Sequence, residues 1–289
     1  MTLRRTRFGP LLFAVLCISF GSIFVRLAQA PPLSVSFYRM FLASLFLAPF
    51  ALPSAVPAWR ALGPRQALLL LGSGAALALH FATWIASLSL TSVAASVLLV
   101  EMTPVFTLLL AWIALREPPT LRLAGAVALA IAGAAWIASG DSAAGPAPLR
   151  GDLLALAGAA CLAVHHVIGR GLRSALPVGA YVLGVWAVAA LVLASLAFSS
   201  NVPLAGYPPR TLAAFLALAL VPTLLGHGLV NVSLRAIPAA VVGLFLLGEP
   251  IGASLLAYAL FGEVPPASTA IGGGLVLGAL ALVATGGSR

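Results

Sequence analysis

The chain has no lysine and six acidic residues, and charged side chains make up 7% of its 289 residues. A water-soluble domain carries roughly 25% charged residues, so there is too little charge here to cover a globular surface. The two cysteines, Cys17 and Cys161, each sit inside an apolar run, with no partner at CxxC or metal-ligand spacing. That excludes a disulfide framework and a cysteine-built zinc site, and both thiols read as small buried apolar groups. None of the four histidines stands in an HExxH arrangement, and no GxxxxGK[ST] run occurs. Catalytic zinc and ATP-driven pumping therefore lack their signatures, and no cofactor is expected.

What is present is hydrocarbon. Hydrophobic residues make up 62% of the chain and mean hydropathy is +1.14, which makes the lipid bilayer its solvent. The net charge of +9 comes from 15 basic residues, all arginine, scattered singly among apolar runs. A nucleic-acid binder would cluster them on one face, so the arginines read as topology signals and no nucleic-acid partner is expected. The opening MTLRRTRFGPLLFAVLCISF resembles a signal peptide. Its apolar run continues to Val25 without a small-residue cleavage site, however, and it reads as a retained first helix.

A membrane-spanning helix needs about 20 mainly apolar residues. Cutting the sequence at its Pro, Gly and Arg punctuation predicts ten: 9–28, 34–52, 65–87, 91–114, 121–140, 151–171, 178–199, 210–232, 239–261 and 267–286. Short connections such as REPPT and GEVPP leave no room for a soluble domain. With the N-terminus cytoplasmic, eleven arginines fall on that side: Arg4, Arg5, Arg7, Arg60, Arg65, Arg116, Arg122, Arg170, Arg173, Arg235 and Arg289. Arg26, Arg39, Arg150 and Arg210 fall on the other. The positive-inside rule then puts both termini in the cytoplasm.

The two halves of the chain repeat. A shift of 146 lays LAWIALREPP (Leu110–Pro119) over LAYALFGEVP (Leu256–Pro265), and a shift of 147 lays His80 over His227. Residues 8–140 and 151–286 then hold five spans each. Because five is odd, the copies cross the membrane in opposite senses, an inversion that recurs in secondary transporters with a site at the repeat interface. The expected fold is all-α and integral to the membrane: ten helices as two inverted five-helix repeats around a central cavity.

Three segments carry a family likeness. SVSFYRMFLASL (Ser34–Leu45), VLLVEMTPVFTLLLAWIALREPPTLRLAGAVALAIAG (Val97–Gly133) and VVGLFLLGEPIGASLLAYALFGEVPPASTAIGGGLVLGAL (Val241–Leu280) resemble the repeats of EamA-type proteins of the drug/metabolite transporter superfamily. The resemblance covers nearly the whole chain and extends to bacterial aromatic amino-acid exporters of the YddG type. It implies ten helices, a bacterial inner-membrane location and outward transport of small metabolites.

Glu101 and Glu249 lie about ten residues into the fourth and ninth spans, where an acidic side chain costs roughly 2.5–3.5 kcal/mol on insertion scales. Such carboxylates face a bundle interior or wet cavity and mark a functional site, unless they serve to hold two helices together. Pro104 and Pro250 follow them, each removing a backbone donor, as a flexing point or a static kink. His80 and Trp84 share a helix face, and His227 and Asn231 repeat that spacing in the second half. Ser19, Ser22, Thr103 and Tyr258 complete the candidate cavity wall. Arg39, at an outer span end, reads as a snorkelling or loop-tying residue. Glu117 and Glu263 read as turn contacts rather than substrate ligands.

The expectation is a monomeric carrier for amino acids and related metabolites, working by alternating access with the lipid bilayer as its surroundings. A carboxylate suits a zwitterion's ammonium, and Trp84 suits an aromatic side chain. Efflux of lipophilic cations, with the glutamates as counter-charges, is the alternative. A non-transporting membrane protein remains open, whereas an intramembrane enzyme is opposed by acids spread over ten spans without a paired DxxD.

Overall fold

Prolines open several helices, because the first turn leaves their missing amide without consequence and their fixed φ already suits the helix. The computed structural model describes residues 9–115, 121–140, 145–172, 175–233, 242 and 245–286. Among them every regular element is helical. In chain order these are α1 (Gly9–Ala28), α2 (Pro32–Arg60), α3 (Pro64–Ser87), α4 (Val93–Val100), α5 (Thr103–Leu115), α6 (Leu121–Gly140), α7 (Pro148–Leu172) and α8 (Val178–Ser199). They continue with α9 (Pro209–Leu218), a π-helical stretch (Ala219–His227), α10 (Gly228–Ser233), α11 (Gly248–Phe261) and α12 (Ala267–Gly286). Seven stretches are long and apolar enough to cross a bilayer, and Ala124–Ser139 and Ala267–Leu282 are shorter apolar helices.

Three departures from the expected spans have physical causes. Helix α2 runs through Pro49, Pro53 and Pro57 to Arg60, beyond the expected end at residue 52. Those prolines recur every four residues on one exposed stripe, so the lost hydrogen bonds stay on the outer face. The Trp59 indole then ties the far end to α8 by donating to the Ala180 carbonyl at 3.1 Å. The fourth span is not one helix but two, α4 and α5, separated at Glu101–Met102. The eighth loosens into nine π-helical residues around Pro222.

Large apolar side chains point outward: Phe50 is 84% exposed, Phe198 73% and Leu191 69%. Between the helices, alanine, glycine and serine share the contacts with buried large residues such as Phe215, Ile23, Met40 and Leu99. Lipid tails are as apolar as leucine, so close packing of small residues rather than water exclusion drives helix association. Helix α3 packs along α7 and α8, α2 along α8, and α6 along α12. The α6–α12 seam is a backbone contact, where a Cβ on Gly133 would come within 2.7 Å of the Gly272 carbonyl oxygen, and one on Gly272 within 2.6 Å of that of Gly133. Gly262, at φ +67°, ends α11 in the left-handed region and turns the chain so that Glu263 faces α4.

The seam yields a direct test. Gly272→Leu is expected to force α6 and α12 apart and destabilise the protein by about 1–3 kcal/mol, read as a lowered melting midpoint in detergent. Gly274→Leu, at a position open on that side, is expected to leave the midpoint nearly unchanged.

Candidate functional site

The site starts from two prolines and the carbonyls they strand. Pro104 has no amide to give the Val100 carbonyl four residues back, and the Thr103 hydroxyl donates to that oxygen instead at 2.8 Å. Pro222 likewise has no amide to give Leu218, but here the helix shifts to π bonding, which pairs a carbonyl with the amide five residues on, and the Thr223 hydroxyl also donates to the Leu218 carbonyl at 2.9 Å. Inside a membrane a freed carbonyl must find such a partner. Threonine beside proline therefore lets a helix break without leaving a buried polar group unpaired.

Glu101 caps the C-terminal end of α4, and Glu249 occupies the first turn of α11. Both are partly buried and lie within electrostatic range of each other. Helices α4 and α11 are in contact, which brings together two carboxylates far apart in sequence. Pro250 also lies in the first turn of α11, where its missing donor interrupts no internal hydrogen bond. Pro104 is likewise the second residue of α5. Each proline thus begins a half-helix, and each glutamate stands at a helix end.

His80 and Trp84 face the same interior. Their rings lie 6.0 Å apart and within 5° of parallel, buried to 6% and 5% exposure. His80 Nδ1 lies 3.0 Å from the Gly158 carbonyl oxygen. That oxygen can only accept, so Nδ1 carries the proton and Nε2 presents a lone pair. Gly158 lets α7 approach closely there, since a Cβ would sit 3.1 Å from Thr83 Oγ1 and 3.3 Å from Trp84 Cβ. His227 ends the π-helical stretch, exposed and within electrostatic range of Arg39 and His166.

The remaining expected residues divide. Ser19 lies at the α1–α11 contact, its hydroxyl donating to Val15 O at 2.9 Å with Glu249 O at 3.4 Å. Ser22 is buried. Thr103 is buried and engaged with Val100. Tyr258 stands apart, 59% exposed on an outer stripe with Ile251 and Leu255. The side chain of Asn231 lies outside the described residues, as do Glu117 and Asp141.

Arg39 is the residue that reading by position missed. It does not snorkel: it is 2% exposed, with its guanidinium carbon 4.4 Å from the centre of the Phe81 ring and 5.6 Å from that of Trp84. Its Nε donates to Thr223 Oγ1 at 3.0 Å, and Glu249 lies within electrostatic range. An arginine among apolar residues gives no sequence cue of that kind; two threonine–proline neighbours, at 103–104 and 222–223, were the available signal for the breaks. A second cluster joins Ser73 Oγ to His165 Nδ1 and to the Tyr181 hydroxyl, both at 2.8 Å.

At the other end of α1 the bundle is tied shut. Arg26 Nη1 donates to Glu263 Oε2 at 2.7 Å, and Nη2 to the Thr91 carbonyl at 3.1 Å. The second carboxylate oxygen of Glu263 accepts from the Val93 amide at 2.6 Å, in the first turn of α4. A cavity of about 800 Å³ opens above this contact, lined in part by Arg26, Gln29, Ser89, Ser92 and Glu263. Glu263 is thus a turn contact, as expected, and one that joins three segments.

Apolar helices broken at polar centres define a multi-pass membrane protein of the transporter class. The EamA-like transporter family model matches the chain twice, over residues 9–139 and 149–285, and the chain belongs to that family. It is 27% identical over 182 residues to "Uncharacterized transporter YwfM" of Bacillus subtilis (strain 168), an alignment that covers 63% of this chain and 61% of that protein. A solved structure described as "Crystal structure of protein" shares the fold, with a TM-score of 0.63 at 19% identity and 96% of each chain covered.

Two measurements follow from this geometry. Thr103→Val strands the buried Val100 carbonyl and Thr223→Val leaves Arg39 Nε without its acceptor; each is expected to cost about 1 kcal/mol in thermal unfolding, whereas Thr83→Val, which does neither, costs less. The Arg26–Glu263 pair, with side chains 29% and 18% exposed, is screened by solvent. A double-mutant cycle with Arg26→Gln and Glu263→Gln is expected to give a coupling of about 1 kcal/mol or below.

Proposed function

We propose that the chain is a secondary transporter that moves small metabolites, foremost amino acids including aromatic ones, outward across a bacterial inner membrane. The observation that carries this reading is the meeting of Glu101 and Glu249 at two helix breaks in an apolar interior. Carboxylates in that setting match an ammonium group, and the parallel His80 and Trp84 rings offer a surface for an aromatic side chain. His227 repeats the position of His80 in the second half after a shift of 147, and we assign it, with Asn231 four residues on, to the same transport pathway.

The architecture we infer is ten spans as two inverted five-helix repeats, residues 8–140 and 151–286, with both termini cytoplasmic and the monomer as the working unit. Recurrence of a proline-started half-helix after a shift of 146, at Pro104 and Pro250, supports a duplicated mechanism. Alternating access then consists of opening the bundle at one end while the other is held. In the conformation described, the Arg26–Glu263–Val93 contact holds one end together; opening there requires that contact to break.

The test is uptake by proteoliposomes against a panel of amino acids and lipophilic cations. Wild-type protein is expected to move amino acids, and Glu101→Gln and His80→Ala to lower that flux about tenfold or more. Unchanged flux in both variants would sink the site assignment. Transport of lipophilic cations alone would replace the amino-acid reading with cation efflux, and no flux of any kind would point to a non-transporting protein.

A further inference from the structure

Three buried donors in the interior have no acceptor: Arg39 Nη1, Trp84 Nε1 and Ser22 Oγ. They come from α2, α3 and α1, three helices that meet at the Trp84 ring. Arg39 lies over the Trp84 ring, and Gly21, beside Ser22, brings α1 within 3.8 Å of both Trp84 and Pro222 for a Cβ built there. A guanidinium at 2% exposure is costly to keep away from water unless something compensates it. The faces of Phe81 and Trp84 compensate part of it as cation–π partners, and Thr223 takes the Nε proton. Nη1 still points at nothing. Thr223 is itself fixed by its bond to Leu218, so the guanidinium is held in place rather than free to seek another partner.

We propose that Arg39 Nη1, Trp84 Nε1 and Ser22 form the anion subsite of the transport cavity, and that it takes a monoanionic carboxylate. The proposal rests on the transporter reading and names the half of the substrate which that reading left unassigned. Two N–H donors from one guanidinium and one indole, with a hydroxyl beside them, match the lone pairs of a carboxylate. A dianion such as a phosphate ester is disfavoured, because Glu249 lies within electrostatic range of Arg39 and Glu101 within range of Glu249. The same proximity sets an acidic group within electrostatic range of the cationic one, which suits a substrate that carries an ammonium group beside its carboxylate. The pair of sites therefore selects an α-amino acid head group over either charge alone.

The experiment is ligand binding to the purified full-length protein in detergent, read as the shift of the melting midpoint on titration. The probes are acetate, 3-phenylpropionate, L-phenylalanine and phenethylamine. Wild-type protein is expected to bind L-phenylalanine and, more weakly, 3-phenylpropionate. Arg39→Gln is expected to weaken both about tenfold or more while leaving phenethylamine nearly unchanged. Arg39→Lys, which keeps the charge and loses the fork, should fall between. If Arg39→Gln fails to fold, Trp84→Phe removes one of the donors while keeping an aromatic ring, and should weaken carboxylates relative to phenethylamine. Binding of 3-phenylpropionate that both Arg39→Gln and Trp84→Phe leave intact overturns the proposal, as does a wild-type protein that binds phenethylamine but neither carboxylate probe, or that binds nothing. Carboxylate binding that depends on Arg39, in a protein that transports no amino acid, upholds the subsite and overturns the amino-acid reading instead.

Discussion

A backbone carbonyl that loses its amide inside a membrane needs another donor, and the interior of this protein is organised around two places where that happens. At Pro104 the neighbouring threonine supplies the missing bond, through Thr103 to Val100; at Pro222 the helix shifts to π bonding, and Thr223 also donates to Leu218. With the backbone satisfied, the fourth span can break into α4 and α5 and the eighth can widen into a π-helical stretch. The break sets Glu101 at a helix end, and the widening carries Thr223 to Arg39. Glutamate and arginine alike are tolerated because the helices around them have already been interrupted.

Small residues make the second requirement. Helices that must approach closely cannot carry bulky side chains at the seam, and here Gly133 against Gly272 and Gly158 against α3 allow backbone contact. Bulky apolar residues also cover the outer face, where Phe50, Leu191 and Phe198 are exposed, while others such as Phe215 and Met40 are fully buried. The interior that results is polar in spots, among them the His80 imidazole, the Trp84 indole, the Arg39 guanidinium and the Glu101 and Glu249 carboxylates. At the far end, one ion pair and one helix amide hold α1, α4 and the turn after α11 together.

Much of this was legible in the sequence because hydrocarbon demands long apolar runs and tolerates charge at few positions. Glu101 and Glu249 stood out for that reason, and the prolines beside them marked where helices start. Arg39 was read wrongly as a snorkelling residue, since distance along α2 says how near a span end it is but not which way its side chain points. Its partners are Phe81, Trp84 and Thr223, the last 184 positions away in sequence, and no local pattern joins them. Tyr258 shows the reverse case: a polar tip suggested a cavity, yet its register on α11 places it with Ile251 and Leu255 on the outside. The extension of α2 through three prolines was hidden too, because each proline alone signals a stop and their shared exposed stripe appears only once the helix is drawn.

The sequence by itself determined that the chain lives in a membrane, repeats itself and buries two acids, since composition, periodicity and the cost of charge in lipid are properties of the chain alone. Tertiary structure decided which groups face one another. That Glu101 meets Glu249, that Arg39 lies across Phe81 and Trp84, and that Arg26 closes on Glu263 all depend on contacts between helices distant in sequence. Such contacts are set by how small residues let helices dock, and docking is a property of pairs of surfaces rather than of any single run of residues.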